Sequence, residues 1–145
     1  MADRSLDPGT KRKVDELLAA MPQYLAGVTE EIDSWGDLDL TRISADRAEQ
    51  AVDTVRGGMV MLEYVHALFF NAARQLGRPL RLPDPPAWDT DVDRQLAALR
   101  RGEAETAEPL FAVMVPMASR IGRAMSITGQ AAIDLRSSTQ RGWTS

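Results

Sequence analysis

The pair of residues with the most chemical capacity in this chain is Glu63 and His66, spaced E-x-x-H. On a helix, side chains three residues apart share a face, so a carboxylate and an imidazole at that spacing can bind one ion. His66 is the single histidine, and there is no cysteine, which excludes disulfides and thiolate ligands. Di-iron and di-manganese bundles use two such motifs plus two further glutamates. One copy of this chain supplies half of that set, and a second copy, with Glu30 or Glu31 as the extra ligand, would complete it. A haem reading also centres on His66, paired with one of the methionines Met59, Met61, Met114 or Met117. A third reading is a small apolar ligand or substrate in a pocket between the central and last helices, lined by Tyr64, His66, Phe70, Phe111 and Met114.

Against these stands a simpler role for His66. A histidine inside a helical seam can be a buried core residue hydrogen-bonded to a carbonyl, a hydroxyl or water, with its basicity lowered by desolvation. It can also fix register and oligomer state, as one asparagine does in a coiled coil. The composition favours that role, with no cofactor expected and iron, manganese or haem as the alternative. Other chemical signatures are missing. There is no glycine-rich phosphate loop. Asp89, Asp91 and Asp93 lack the glycine and glutamate that a calcium loop requires. Glu103, Glu105 and Glu108 crowd the start of a helix, where carboxylates complement its positive end.

The element that would position His66 is residues 44–76. Ala48, Val52, Val55, Met59, Leu62, His66, Phe69, Ala73 and Leu76 recur at steps of four and three, which predicts one long amphipathic helix. A second row, Met61, Val65, Leu68 and Ala72, predicts burial on several sides. Ser44 is the expected N-cap, and Gly77 with Pro79 the stop. Gly57-Gly58 predicts a bend or break, since each glycine costs about 1 kcal/mol against alanine in a helix.

Two other long helices repeat the spacing. Val14, Leu18, Met21, Leu25, Val28, Ile32 and Trp35 place one over 9–35, opened by Asp7-Pro8 and kinked at Pro22. Ala107, Leu110, Met114, Met117, Ile121, Ala124, Thr128, Ala131 and Leu135 place another over 106–136, kinked at Pro116. Between them, 77–89 holds four prolines and reads as an extended strap ended by Trp88. Thr90 and Asp93 suggest a capping box for a short helix that Gly102 closes. Residues 1–9 and 137–145 are expected to fray, although Trp143 offers a group that can dock.

The expected fold is therefore all-α: a single domain over 1–145, a kinked bundle of three long helices and one short one. Seams of unequal length and a short third helix leave a gap, which predicts completion by dimerisation. A row of small residues, Ser119, Gly122, Ser126 and Gly129, is the expected interface.

Net charge is −4 and unevenly spread. Residues 1–72 carry 13 acidic and 7 basic side chains, residues 73–145 carry 8 acidic and 10 basic. That polarity can orient head-to-tail association. It gives no clustered basic face, so no nucleic-acid partner is expected. The 15 arginines against 2 lysines fit a GC-rich bacterial genome. No uninterrupted apolar run of about 20 residues occurs, so no transmembrane segment is expected. The start of the chain lacks the apolar run of a secretory signal, and with no cysteine the expected location is cytoplasmic. The functional expectation is a non-catalytic interaction or assembly protein, a homo-oligomer that also binds a protein partner.

Overall fold

The computed structural model describes residues 5–139. Within them the chain is an all-α bundle: α1 (Pro8–Ser34), a 3-10 turn (Trp35–Asp37), α2 (Ala45–Gln75), α3 (Thr90–Arg100) and α4 (Glu108–Ser138). No strand occurs among the described residues. Helix α2 packs on α1, α3 and α4, and α4 packs on the other three.

The apolar seam of α2 forms the centre. Ala48, Val52, Val55, Met59, Leu62, Phe69, Ala73 and Leu76 are all buried, and His66 alone of that row is half-buried. Opposite lie Leu110, Met114, Met117, Ile121, Ala124 and Leu135 of α4. Burying a leucine or phenylalanine side chain is worth about 1.5–3 kcal/mol, so these two seams carry most of the stability. They cover each other inside one chain. The gap that argued for a second copy is closed by α1, α3 and the strap, so a dimer would have to use an outer face.

The helices start and stop much as the caps dictate. Asp7 accepts from the Thr10 N–H, and Ser44 from the Arg47 N–H. Helix α3 is capped by Asp89, which accepts from the Asp91 N–H, so the capping-box expectation at Thr90 moves by one residue. Gly77 and Gly102 follow α2 and α3 with φ of 67° and 72°, a backbone conformation that glycine adopts without a Cβ clash. Residues 6–9 are not frayed. Leu6 is buried, the Asp7 N–H donates to Gln75 Oε1 at 2.8 Å, and Gln75 Nε2 donates to Thr10 Oγ1 at 3.0 Å. The start of α1 is thereby tied to the end of α2. Helix α4 continues to Ser138, while Trp143 lies outside the described residues.

Helix α2 does not break at Gly57-Gly58. Gly58 is buried where α4 crosses, and a Cβ there would lie 3.4 Å from Ile121 Cγ2. Tertiary packing on both sides holds the helix where its local propensity is poor. Pro22 and Pro116 both lie within continuous helices and on exposed positions.

Two polar clusters lock the helices. Glu31 Oε1 accepts from Arg47 Nη1 at 2.7 Å and from Trp35 Nε1 at 3.2 Å, and Arg47 Nη2 also donates to Ser34 Oγ at 3.2 Å. This joins the end of α1 to the start of α2. Trp35 then packs edge-on against Phe111 of α4, with ring centroids 5.4 Å apart. At the other cluster, Trp88 Nε1 donates to Asp93 Oδ2 at 2.8 Å, and Arg56 pairs with Asp93 while stacking 5.0 Å over the Trp88 ring. The strap is thus fastened to α2 and α3 through Trp88. The link between α1 and α2 is fixed to the start of α4 by the Ala107 N–H, which donates to the Leu40 carbonyl at 2.8 Å.

Candidate functional site

His66 sits one helical turn from Glu63, as the spacing requires, but the two side chains do not gather further ligands. Glu63 is exposed, and among the described residues no group of three His, Cys, Asp or Glu side chains lies within reach of one ion. Glu31, the proposed extra ligand, is taken by Arg47 and Trp35. Glu30 is exposed near the end of α1. His66 also makes no hydrogen bond within the described residues, so the expectation of a buried, bonded core histidine is replaced by a half-buried one that water can reach.

The five residues expected to line one pocket are split between the outside and the core. Tyr64 and Phe70 are 49% and 48% exposed, whereas Phe111 and Met114 are 3% and 0% exposed. The seam of α2 faces α4, and Tyr64, on the far side of the helix from Leu62, turns outward. Val60, at 61% exposed, lies one turn from Tyr64, and Phe70 is exposed at the flank of the seam, so the second half of α2 is not buried all round. Of the methionines considered beside His66, Met59, Met114 and Met117 are buried in the core and Met61 is half-buried.

The small-residue row divides as well. Gly129 is buried against α1, and a Cβ there would lie 3.0 Å from Met21 Cε, so this position serves close packing inside the chain. Ser119 and Ser126 are exposed, Gly122 is half-buried, and a Cβ at Gly122 would meet nothing within 4 Å. That leaves an open strip along α4 with exposed Val115 and Ile133 near its two ends.

Beside this strip runs a groove of about 260 Å³ between α1 and α4. Leu18, Pro22 and Leu25 form one wall, Ser126, Gln130 and Ile133 the other, and Met21, Met125 and Gly129 the floor. It exists because α1 is incompletely covered. Of its predicted seam only Val14, Met21 and Trp35 are buried, while Leu18, Leu25, Val28 and Ile32 are half-buried. The sequence marked these residues as apolar but gave no sign that α4 would cover only part of them.

The electrostatics of α1 are also unusual. Helices α2, α3 and α4 each begin with acidic and end with basic side chains: Asp46 and Arg74, Asp91 with Asp93 and Arg100, Glu108 and Arg136. Those placements complement the helix dipole, typically by about 0.3–1 kcal/mol each. Helix α1 has no acid in its first turn and no base in its last. Asp7 caps it, but within the helix Lys11, Arg12 and Lys13 lie near its start and Glu30, Glu31 and Asp33 near its end. Of these only Glu31 has an ion-pair partner among the described residues.

A second cleft, of about 250 Å³, lies between the strap and α4, lined by Pro83, Asp84, Pro86, Arg120, Arg123, Ala124 and Ile127. Helix α4 is also long and apolar enough to cross a membrane by length and composition, with a mean hydropathy of 1.2 over its most apolar window. The expectation of no such segment rested on an uninterrupted run, which this measure does not require. In the bundle 44% of that window is buried.

Comparison of the chain with protein-family models, with curated proteins and with solved structures found no match.

Proposed function

We propose that the chain is a helical interaction protein that works through its surface, as a homo-oligomer that also takes a protein partner. The observation that carries this reading is the open apolar groove between α1 and α4, walled by Leu18, Pro22, Leu25 and Ile133 and continuous with the small strip Ser119, Gly122 and Ser126. Exposed apolar side chains beside small ones suit an approaching helix, because close backbone contact and apolar burial reinforce each other. The methionines of the floor, Met21 and Met125, add adaptable packing. Val60 and Tyr64, one turn apart on the outer side of α2, give a second apolar contact for a protein partner.

The test is the mass of the full chain in solution across a concentration series, by light scattering and sedimentation. A dimer or larger species is expected, with Ser126→Trp, which fills the groove from an exposed position, shifting it toward monomer. A folded chain that stays monomeric up to high concentration would overturn the self-association half of the reading.

A further inference from the structure

We propose that the occupant of the α1 face is the α1 helix of a second copy, laid antiparallel across it with the twofold axis passing near Pro22. This rests on the self-association reading above and adds the surface and the orientation.

At about 100° per residue, Lys11, Pro22 and Asp33 fall within about 20° of one line of the α1 surface, and Arg12 and Glu30 lie together about 80° to one side of it. Pro22 stands eleven residues from Lys11 and eleven from Asp33. A twofold axis at Pro22 therefore sets Lys11 of one copy opposite Asp33 of the other, while Arg12 and Glu30 fall on opposite flanks of the contact. The same contact occurs twice, once at each end. Parallel pairing would set like charges together at both ends.

The middle of the face is shaped for contact. Ala19, Pro22, Ala26 and Thr29 are small and exposed, and Leu18 and Leu25 stand at its edge as the half-covered wall of the groove. Asp15, the acid on this face between Lys11 and Pro22, is held by Arg136 of α4 and falls opposite Thr29 in this register. Glu16 lies at the flank, opposite Val28. Lys11 and Asp33, each placed against the dipole of its own helix, without an ion-pair partner among the described residues and at either end of an exposed strip of small residues, are accounted for together by one antiparallel partner.

The experiment uses the full chain and two charge-reversed variants, K11E and D33K, with helicity checked by circular dichroism. Each alone puts like charges at both ends of the pair and is expected to weaken dimerisation by about tenfold. Mixed in equal amounts they are complementary again, and a heterodimer of near wild-type affinity is expected. The neutral variant D33N should fall between. High salt should weaken the wild-type dimer and strengthen each like-charged one. A wild-type dimer whose affinity is unchanged in both variants, or variants that weaken but do not rescue each other, overturns the α1 pairing and leaves self-association standing. A wild-type chain that is monomeric throughout overturns both.

Discussion

Helices α1 and α4 are nearly equal in length, at 27 and 31 residues, and both carry a seam at heptad spacing. Their fates in the fold are different. Helix α4 buries twelve residues, packs on every other helix, and places its terminal charges with its dipole. Helix α1 buries three, leaves a groove along its side, and, beyond its Asp7 cap, carries bases near its start and acids near its end. One helix is optimised for its own chain. The other forgoes stability in two separate ways, which is the pattern of a helix whose second neighbour comes from elsewhere.

The sharpest way to break that comparison is a matched pair of truncations followed by urea denaturation. Leu62→Ala, at a fully buried site on α2 facing α4, is expected to cost about 2–5 kcal/mol. Leu25→Ala on α1, half-buried, is expected to cost about 1 kcal/mol in the monomer. Equal losses would mean that α1 is as much a part of the core as α2.

The next effect is at the clasp between α1 and α2. Arg47→Ala removes the hydrogen bonds to Glu31 and Ser34 and leaves Glu31 held by Trp35 alone. A loss of about 1–2 kcal/mol is expected, read from the same denaturation curve, because both groups are only partly exposed. A smaller change of opposite sign is expected in α4. The Thr128 hydroxyl is buried with no hydrogen-bond partner, and Thr128→Val keeps the branched shape without it. Thermal melting should show a gain of about 1 kcal/mol. An unchanged or lower melting temperature would show that the hydroxyl is satisfied in solution.

Smallest is the pH response of Tyr24 on α1, whose phenol is raised from its ordinary value by burial. Burial disfavours the phenolate, so the folded state is favoured while the phenol is protonated, and stability falls as pH rises past about 10. Tyr24→Phe should flatten that fall in a melting series between neutral and alkaline pH.

The core was legible because a seam of apolar residues at steps of three and four leaves few ways to fold. The rows in α2 and α4 predicted most of their buried faces, with His66, Met61, Leu68 and Ala131 the members that remain half-buried. What failed were inferences from residue type alone. Gly57-Gly58 read as a break, but helix propensity is a local quantity and burial against Ile121 outweighs it. Tyr64 and Phe70 read as pocket residues because they are aromatic, although their helical phase already turned them outward. Glu31 read as a free ligand, and no pattern in the sequence foretold that Arg47, sixteen residues on, would reach it. The reversed charges of α1 were in plain view from the start. They gained meaning only once the helix bounds were known and the other three helices could be set beside it.

The order in which the bundle's parts leave the ribosome follows from the pairing of α2 with α4. Helix α2 ends at Gln75 and its main partner is complete only at Ser138, roughly 60 residues later. At about 5–20 residues per second this is a wait of several seconds. Until α3 and then α4 follow, the neighbour available to the seam from Ala48 to Leu76 is α1, which is joined to α2 at one end by Arg47 and Glu31 and at the other by Gln75. The hairpin of α1 and α2 is thus a holding arrangement during synthesis, one that keeps the most adhesive surface of the nascent chain occupied until α4 arrives.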